Sequence, residues 1–341
     1  MQPLSRGGRS VSARLPALLL AILVTIQPSH ADGPTLSRRI FCLGVMGALT
    51  ALPVVGIFGV IGSNLFFIPR KSWERAARRE LHERLKDEGL DGLAQNIQVV
   101  RQAHYTTGDD WTKLSPEVQR ATVKSQLAVF EAVSNSAQRP VFIEGLTVPW
   151  TPKLRDKLRG LVDPKQIHTG ESLDALCPEC PPGATRVYYL TQRLFPDGVE
   201  GSDPREAFSK LTDKQKQSFC DIGGGRAAWA LGKVGTLHAP EMDRVGDRAG
   251  TFERFSKLKP SERTESEWER LFHDVFQKRE VEALVRVART LRDQKKDSAL
   301  LVFGAGHDYE EYSDSELSID HQETVDRALI EKLSLMRFAK P

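Results

Sequence analysis

Two rhythms of apolar and polar positions alternate along this chain from about residue 90 onward. Short, unbroken apolar or β-rich runs end in glycine, histidine or glutamate: residues 96–104 (NIQVVRQAH), 139–145 (RPVFIEG) and 298–309 (SALLVFGAGHDY). Runs of this length are too short for a helix core, and they read as strands buried on both faces. Residues 185–190 (TRVYYL) predict a further strand, and residues 236–238 a brief one. Between them, apolar residues recur every three or four positions. Ser115 caps and Pro116 opens a helix carrying Val123, Leu127 and Phe130. Residues 152–161 form a more polar helix, and residues 266–292 a long one with Val281, Leu284, Val285, Ala288 and Leu291 on its buried stripe. Such alternation predicts an α/β fold, a largely parallel central sheet flanked by helices on both faces and preceded by N-terminal membrane segments. Residues 96–145 read as a βαβ unit.

The N-terminal part follows a different pattern. Residues 1–31 carry Arg6, Arg9 and Arg14, no acidic residue, an apolar run of 12 residues and a small-residue end, which is the layout of a secretory signal. Residues 40–68 contain no charge in 29 positions, more than the ~20 that a helix needs to cross a bilayer. Residues 69–89 read as a juxtamembrane helical stalk and residues 90–341 as a single α/β domain. Arg38 and Arg39 resemble a twin-arginine export signal. The expected placement is therefore a membrane-anchored domain outside the cytoplasm, in a periplasm-like space. The basic cluster Arg70, Lys71, Arg75, Arg78 and Arg79 argues for the alternative, a hairpin anchor with the domain facing the cytoplasm.

Charge adds an exclusion. With 48 Lys and Arg against 45 Asp and Glu, interspersed, the chain lacks the clustered basic footprint of a nucleic-acid binder. Four cysteines are too few for a disulfide scaffold, and CPEC at 177–180 lacks the second pair that a zinc site needs, so it reads as a loop open to a local disulfide. The glycine triplet at 223–225 precedes a short helix without a Walker lysine, and reads as a tight turn.

Three strands thus deliver His104, Glu144 and His307 to their carboxyl ends, the edge at which open α/β sheets bind ligands. Two imidazoles and a carboxylate suit a divalent transition metal such as zinc, manganese or cobalt, with a position left for water. Tyr105 and Tyr309 beside the two histidines offer the alternative of haem ligation, and Gly304 and Gly306 let a cofactor approach the backbone.

These residues resemble the TraB/Tiki-type hydrolase-like proteins and the wider superfamily that joins erythromycin esterases and ChaN-like haem-binding lipoproteins. The likeness covers roughly residues 96–312. In Tiki-type members, glycine-x-x-histidine motifs and an intervening glutamate are held to form a metalloprotease site. Gly304 with His307 matches the second motif, Glu144 the glutamate, and His104 the first motif's histidine. Arg101 stands where that motif has glycine. Glu241, with His238 a weaker neighbour, and Arg279 are similar to further polar positions, which makes them expected catalytic residues. The resemblance implies a membrane-tethered, metal-dependent hydrolase acting on a peptide or small ester substrate. Its alternatives are a haem- or ligand-binding module without turnover and a degenerate structural or regulatory member.

Overall fold

The computed structural model describes residues 67–103, 111–136, 138–168, 170–198, 204–240, 248–304, 307, 309–313, 317 and 319–324. Among them, five strands form one sheet: β1 (Ile97–Gln102), β2 (Val141–Ile143), β3 (Leu237–His238), β4 (Ala299–Gly304) and β5 (Asp320–Glu323). Their order is β3-β2-β4-β1-β5, and every pairing is parallel. The helices are α1 (Phe67–Asp87), α2 (Pro116–Ser134), α3 (Pro152–Leu161), α4 (Gly170–Ala175), α5 (Ala184–Leu194), α6 (Pro204–Ser209), α7 (Asp213–Ile222), α8 (Gly224–Ala230), α9 (Arg248–Lys257), α10 (Glu265–Phe272) and α11 (Lys278–Gln294).

Side-chain alternation along the strands divides the core into two layers. Val100, Val141, Ile143, Leu300 and Val302 point to a cluster built from α2, α3, α5, α7 and α8. Ile97, Val99, Phe142, Leu301 and Phe303 point the other way, onto α1 and α11. Both sheet faces are therefore covered, which is why β4 is apolar without a break and β1 is buried at every position but Gln98. Ser115 accepts the backbone N–H of Val118 with Pro116 at the first helical position, so α2 begins where its sequence signal places it.

Two expectations change, and one strand is new. Residues 185–190 lie in α5, because Ala184, Tyr188, Thr191 and Leu194 bury one helical stripe against the core, a contact that an alternating strand would not make. β1 and β2 are not neighbours: β4, arriving from α11, inserts between them. β5, polar in sequence, completes the edge beside β1.

The helix expected as a stalk is the outer helix of the domain. Leu81 and Leu85 of α1 are buried with Leu284 and Leu291 of α11, and Arg84 and Glu282 meet at 2.8 Å. Just past α1, Glu88 receives Arg289 of α11 at 2.6 Å. The expected signal at 1–31 and the first 27 positions of the expected membrane segment, 40–66, lie outside the described residues. Among the described residues no helix is long and apolar enough to cross a membrane. Cys177 and Cys180 are joined by a disulfide.

Candidate functional site

Glu144 follows β2 directly and is fixed at three points, two on β4 and one on α11. Its backbone N–H donates to the carbonyl of Val302, extending the strand ladder, at 3.0 Å. Its Oε2 accepts the backbone N–H of Gly304 at 2.6 Å, and its Oε1 accepts Nη2 of Arg279 at 2.7 Å. Gly304 also starts the turn that brings His307 back over the strand end, since the His307 N–H donates to the Gly304 carbonyl at 3.0 Å.

His307 is buried, only 4% exposed. Two consecutive residues of α11 bracket its ring. Nδ1 lies 3.0 Å from Oε1 of Glu280, and Nε2 lies 3.1 Å from Nη1 of Arg279 and 3.6 Å from Oε1 of Glu144. Tyr312 donates to the other oxygen of Glu280 at 2.9 Å. Just before these residues, 273–277 form a π-helical turn between α10 and α11. Such turns re-aim a helix and gather at functional sites. Here the turn brings Phe276 against the imidazole, ring centres 5.3 Å apart, and delivers Arg279 and Glu280 to its two nitrogens.

Burial opposes a positive charge on His307, but the carboxylates of Glu144 and Glu280 outweigh it and raise the pKa above the usual histidine value of 6.5. Arg279 pulls the other way, because a guanidinium N–H aimed at Nε2 needs a lone pair there. Glu280 faces Nδ1, whereas Glu144 and Arg279 both face Nε2 and oppose each other there. A raised folded-state pKa stabilises the protein fully below the unfolded value and loses that contribution as pH rises through the folded value. The unfolding midpoint of the wild type should therefore fall, relative to His307→Gln, as pH rises above 6.5. Urea titrations of both proteins at several pH values check this; a gap that widens with pH contradicts the network.

The remaining expected residues are distributed as follows. His104, Tyr105, Glu241 and Gly306 lie outside the described residues. The backbone just before His104 is pinned: the Ala103 N–H donates to Ser125 Oγ at 2.8 Å and the Ala103 carbonyl accepts Gln126 Nε2 at 2.7 Å. β1 is adjacent to β4, so Ala103 leads off the strand next to the one that carries His307. Arg101, standing at the first motif's glycine, is a buried residue of β1. Tyr309 is fully buried in the α11 layer with its ring edge-on to Phe303 at 5.5 Å, a core position. His238 ends β3, one strand beyond β2, and packs on Phe142 with ring centres 5.0 Å apart. Burial, with Arg286 nearby, holds its pKa below the ordinary value.

Two residues of this cluster escape the sequence reading. Glu280 is 1% exposed and lies four residues before Leu284, on the apolar stripe of α11. A carboxylate on a buried stripe is a readable signal, because an unpaired charge there would be costly. Arg226 on α8 reaches the carbonyl of Glu144 with Nη2 at 3.3 Å. It has no comparable signal, since α8 is recognised only as a short helix after glycines.

Glu144 and His307, as held here, do not fit a metal ion. Both carboxylate oxygens and both ring nitrogens already face partners, and the Arg279 guanidinium occupies the space between the two side chains. No known protein family, curated protein or solved structure matches this chain.

Proposed function

We propose that this chain is a membrane-tethered α/β domain that hydrolyses a peptide or ester bond at the carboxyl edge of β2 and β4, with His307 moving the proton. The observation that carries this reading is the imidazole held at Nδ1 by buried Glu280, with Nε2 turned toward Glu144 and Arg279. A carboxylate that fixes one nitrogen sets the tautomer and leaves the other nitrogen to act as general base, the arrangement that recurs in hydrolytic sites. For Nε2 to take a proton from an attacking water, Nη1 of Arg279 must swing away while Nη2 keeps its bond to Glu144. The freed guanidinium edge then faces the oxyanion that develops on the carbonyl. No step in this reading passes through a metal, because one would require Arg279 to leave.

The motif resemblance to the erythromycin esterase and Tiki-type proteins supports the reaction class. The uncharged stretch before α1 supports the tether, and the Cys177–Cys180 disulfide supports a domain on the oxidising side of the membrane. A structural role for the cluster is the second reading, favoured by the burial of His307.

Purified full-length protein, assayed in detergent against p-nitrophenyl acetate and a fluorogenic peptide library, separates them. Turnover that survives EDTA and drops about 10²- to 10⁴-fold in a folded His307→Gln variant is the expected result. Equal turnover in the variant, or none in the wild type, defeats the hydrolytic reading. Loss of turnover in EDTA with stoichiometric bound metal replaces it with metal-assisted chemistry.

A further inference from the structure

Among the described residues Arg226 makes no ion pair. Its guanidinium lies beside the site, over the ring of Trp150 at 5.9 Å, with Nη2 3.3 Å from the Glu144 carbonyl. Nε is sealed from solvent with no hydrogen-bond partner. The nearby carboxylates are committed elsewhere: Glu144 to Arg279 and the Gly304 N–H, Glu280 to His307 and Tyr312. Burial lowers the Arg226 pKa, and the Glu144 charge only partly opposes this.

The chain also makes room for this side chain. Gly145 has a φ of +79°, and a Cβ built there would come within 3.1 Å of Nη2 of Arg226. The residue that follows Glu144 is thus bare on the side where the guanidinium arrives. A half-buried arginine that makes no ion pair among the described residues costs stability, and this one is held at the edge where the sheet would take a ligand.

We infer that Arg226 binds a carboxylate on the molecule that enters this edge, so that the ligand carries a single negative charge next to the group presented to His307. Arginine's planar fork matches a carboxylate's two oxygens. One unmatched positive charge calls for one negative charge. A dianionic phosphate would set its second charge against Glu144. The inference rests on the proposed site but does not need turnover. A peptide C terminus and a free carboxylic acid both carry this chemistry.

The test is calorimetric titration of full-length protein in detergent with sodium acetate, sodium succinate and inorganic phosphate. Acetate and succinate should bind the wild type, and Arg226→Gln should weaken both roughly tenfold or more. Arg226→Lys keeps the charge but loses the fork, and should fall between the two. It also decides the matter if the glutamine variant does not fold: lysine binding as tightly as arginine overturns the fork. Binding unchanged in Arg226→Gln, or no binding of any probe to the wild type, overturns the inference. Phosphate binding more tightly than acetate overturns the carboxylate assignment. In His307→Gln, acetate should still bind. Binding without turnover leaves the anion site standing and removes the hydrolytic reading; turnover without binding does the reverse.

Discussion

Replacing Glu280 with alanine should destabilise the protein by about 3 to 5 kcal/mol, the cost of breaking a buried charged pair from one side. The carboxylate is 1% exposed, and both its oxygens are used, one by Nδ1 of His307 at 3.0 Å and one by the Tyr312 hydroxyl at 2.9 Å. Alanine would leave the imidazole Nδ1 facing a cavity and the Tyr312 hydroxyl with only the Gln277 carbonyl, 3.5 Å away. Glutamine keeps the shape and one acceptor, so Glu280→Gln should cost about 1 to 3 kcal/mol. Glu282, two residues on, provides the contrast. It pairs with Arg84 at 2.8 Å, but the arginine side chain is 30% exposed, so Glu282→Ala should cost about 1 kcal/mol or less. Urea unfolding of the three variants checks the ranking. If Glu280→Ala and Glu282→Ala lose the same amount, His307 is not held as described.

The strands β2 and β4 were legible because each is an apolar stretch that ends in a change of chemistry, and β1 because its β-rich run leads to a histidine. Burial on both faces removes the alternation that would mark a half-exposed strand, and leaves a run that stands out against charged loops. The same reasoning misassigned residues 185–190, whose Val187, Tyr188 and Tyr189 favour strands in isolation. Contacts with α7 and α8 decide that segment, and no local window contains them. β5 was illegible for the opposite reason, since DHQE has no apolar residue and its place depends on β1.

At the site, the sequence placed Glu144 and His307 on one edge, and the fold brings the two within 3.6 Å. Arg279, expected as a catalytic residue, lies between them. What the strand pattern alone could not convey was the depth of the histidine and its dependence on α11. The π-helical turn leaves no mark on residue type, yet it decides that Arg279 and Glu280 both face the imidazole. Gly224 and Gly225 are similar. In sequence they read as a turn, whereas in the fold they are the points at which α8 touches α2 and β2.

That contact carries the second large prediction. A Cβ added at Gly224 would fall 1.9 Å from the carbonyl oxygen of Gln126 and 2.9 Å from the backbone nitrogen of Phe130, both on α2. Backbone atoms cannot rotate aside, so the two helices would have to part and leave voids on either side. Ordinary overpacking costs about 1 to 3 kcal/mol, and Gly224→Ala should exceed it, reaching the exceptional range above about 4 kcal/mol. Gly225→Ala meets Ile143 Cδ1 at 2.4 Å, but this is the end of a flexible side chain, so its cost should stay within about 1 to 3 kcal/mol. Parting α8 from α2 would also break the Gly224 N–H bond to Gln126 Oε1, 2.8 Å, and loosen the Gln126 hold on Ala103. It would carry Arg226 away from Glu144 as well. Gly224→Ala should therefore lose acetate binding along with stability, whereas Gly225→Ala should keep most of both. Equal unfolding midpoints for the two variants would mean that α2 and α8 do not cross at Gly224.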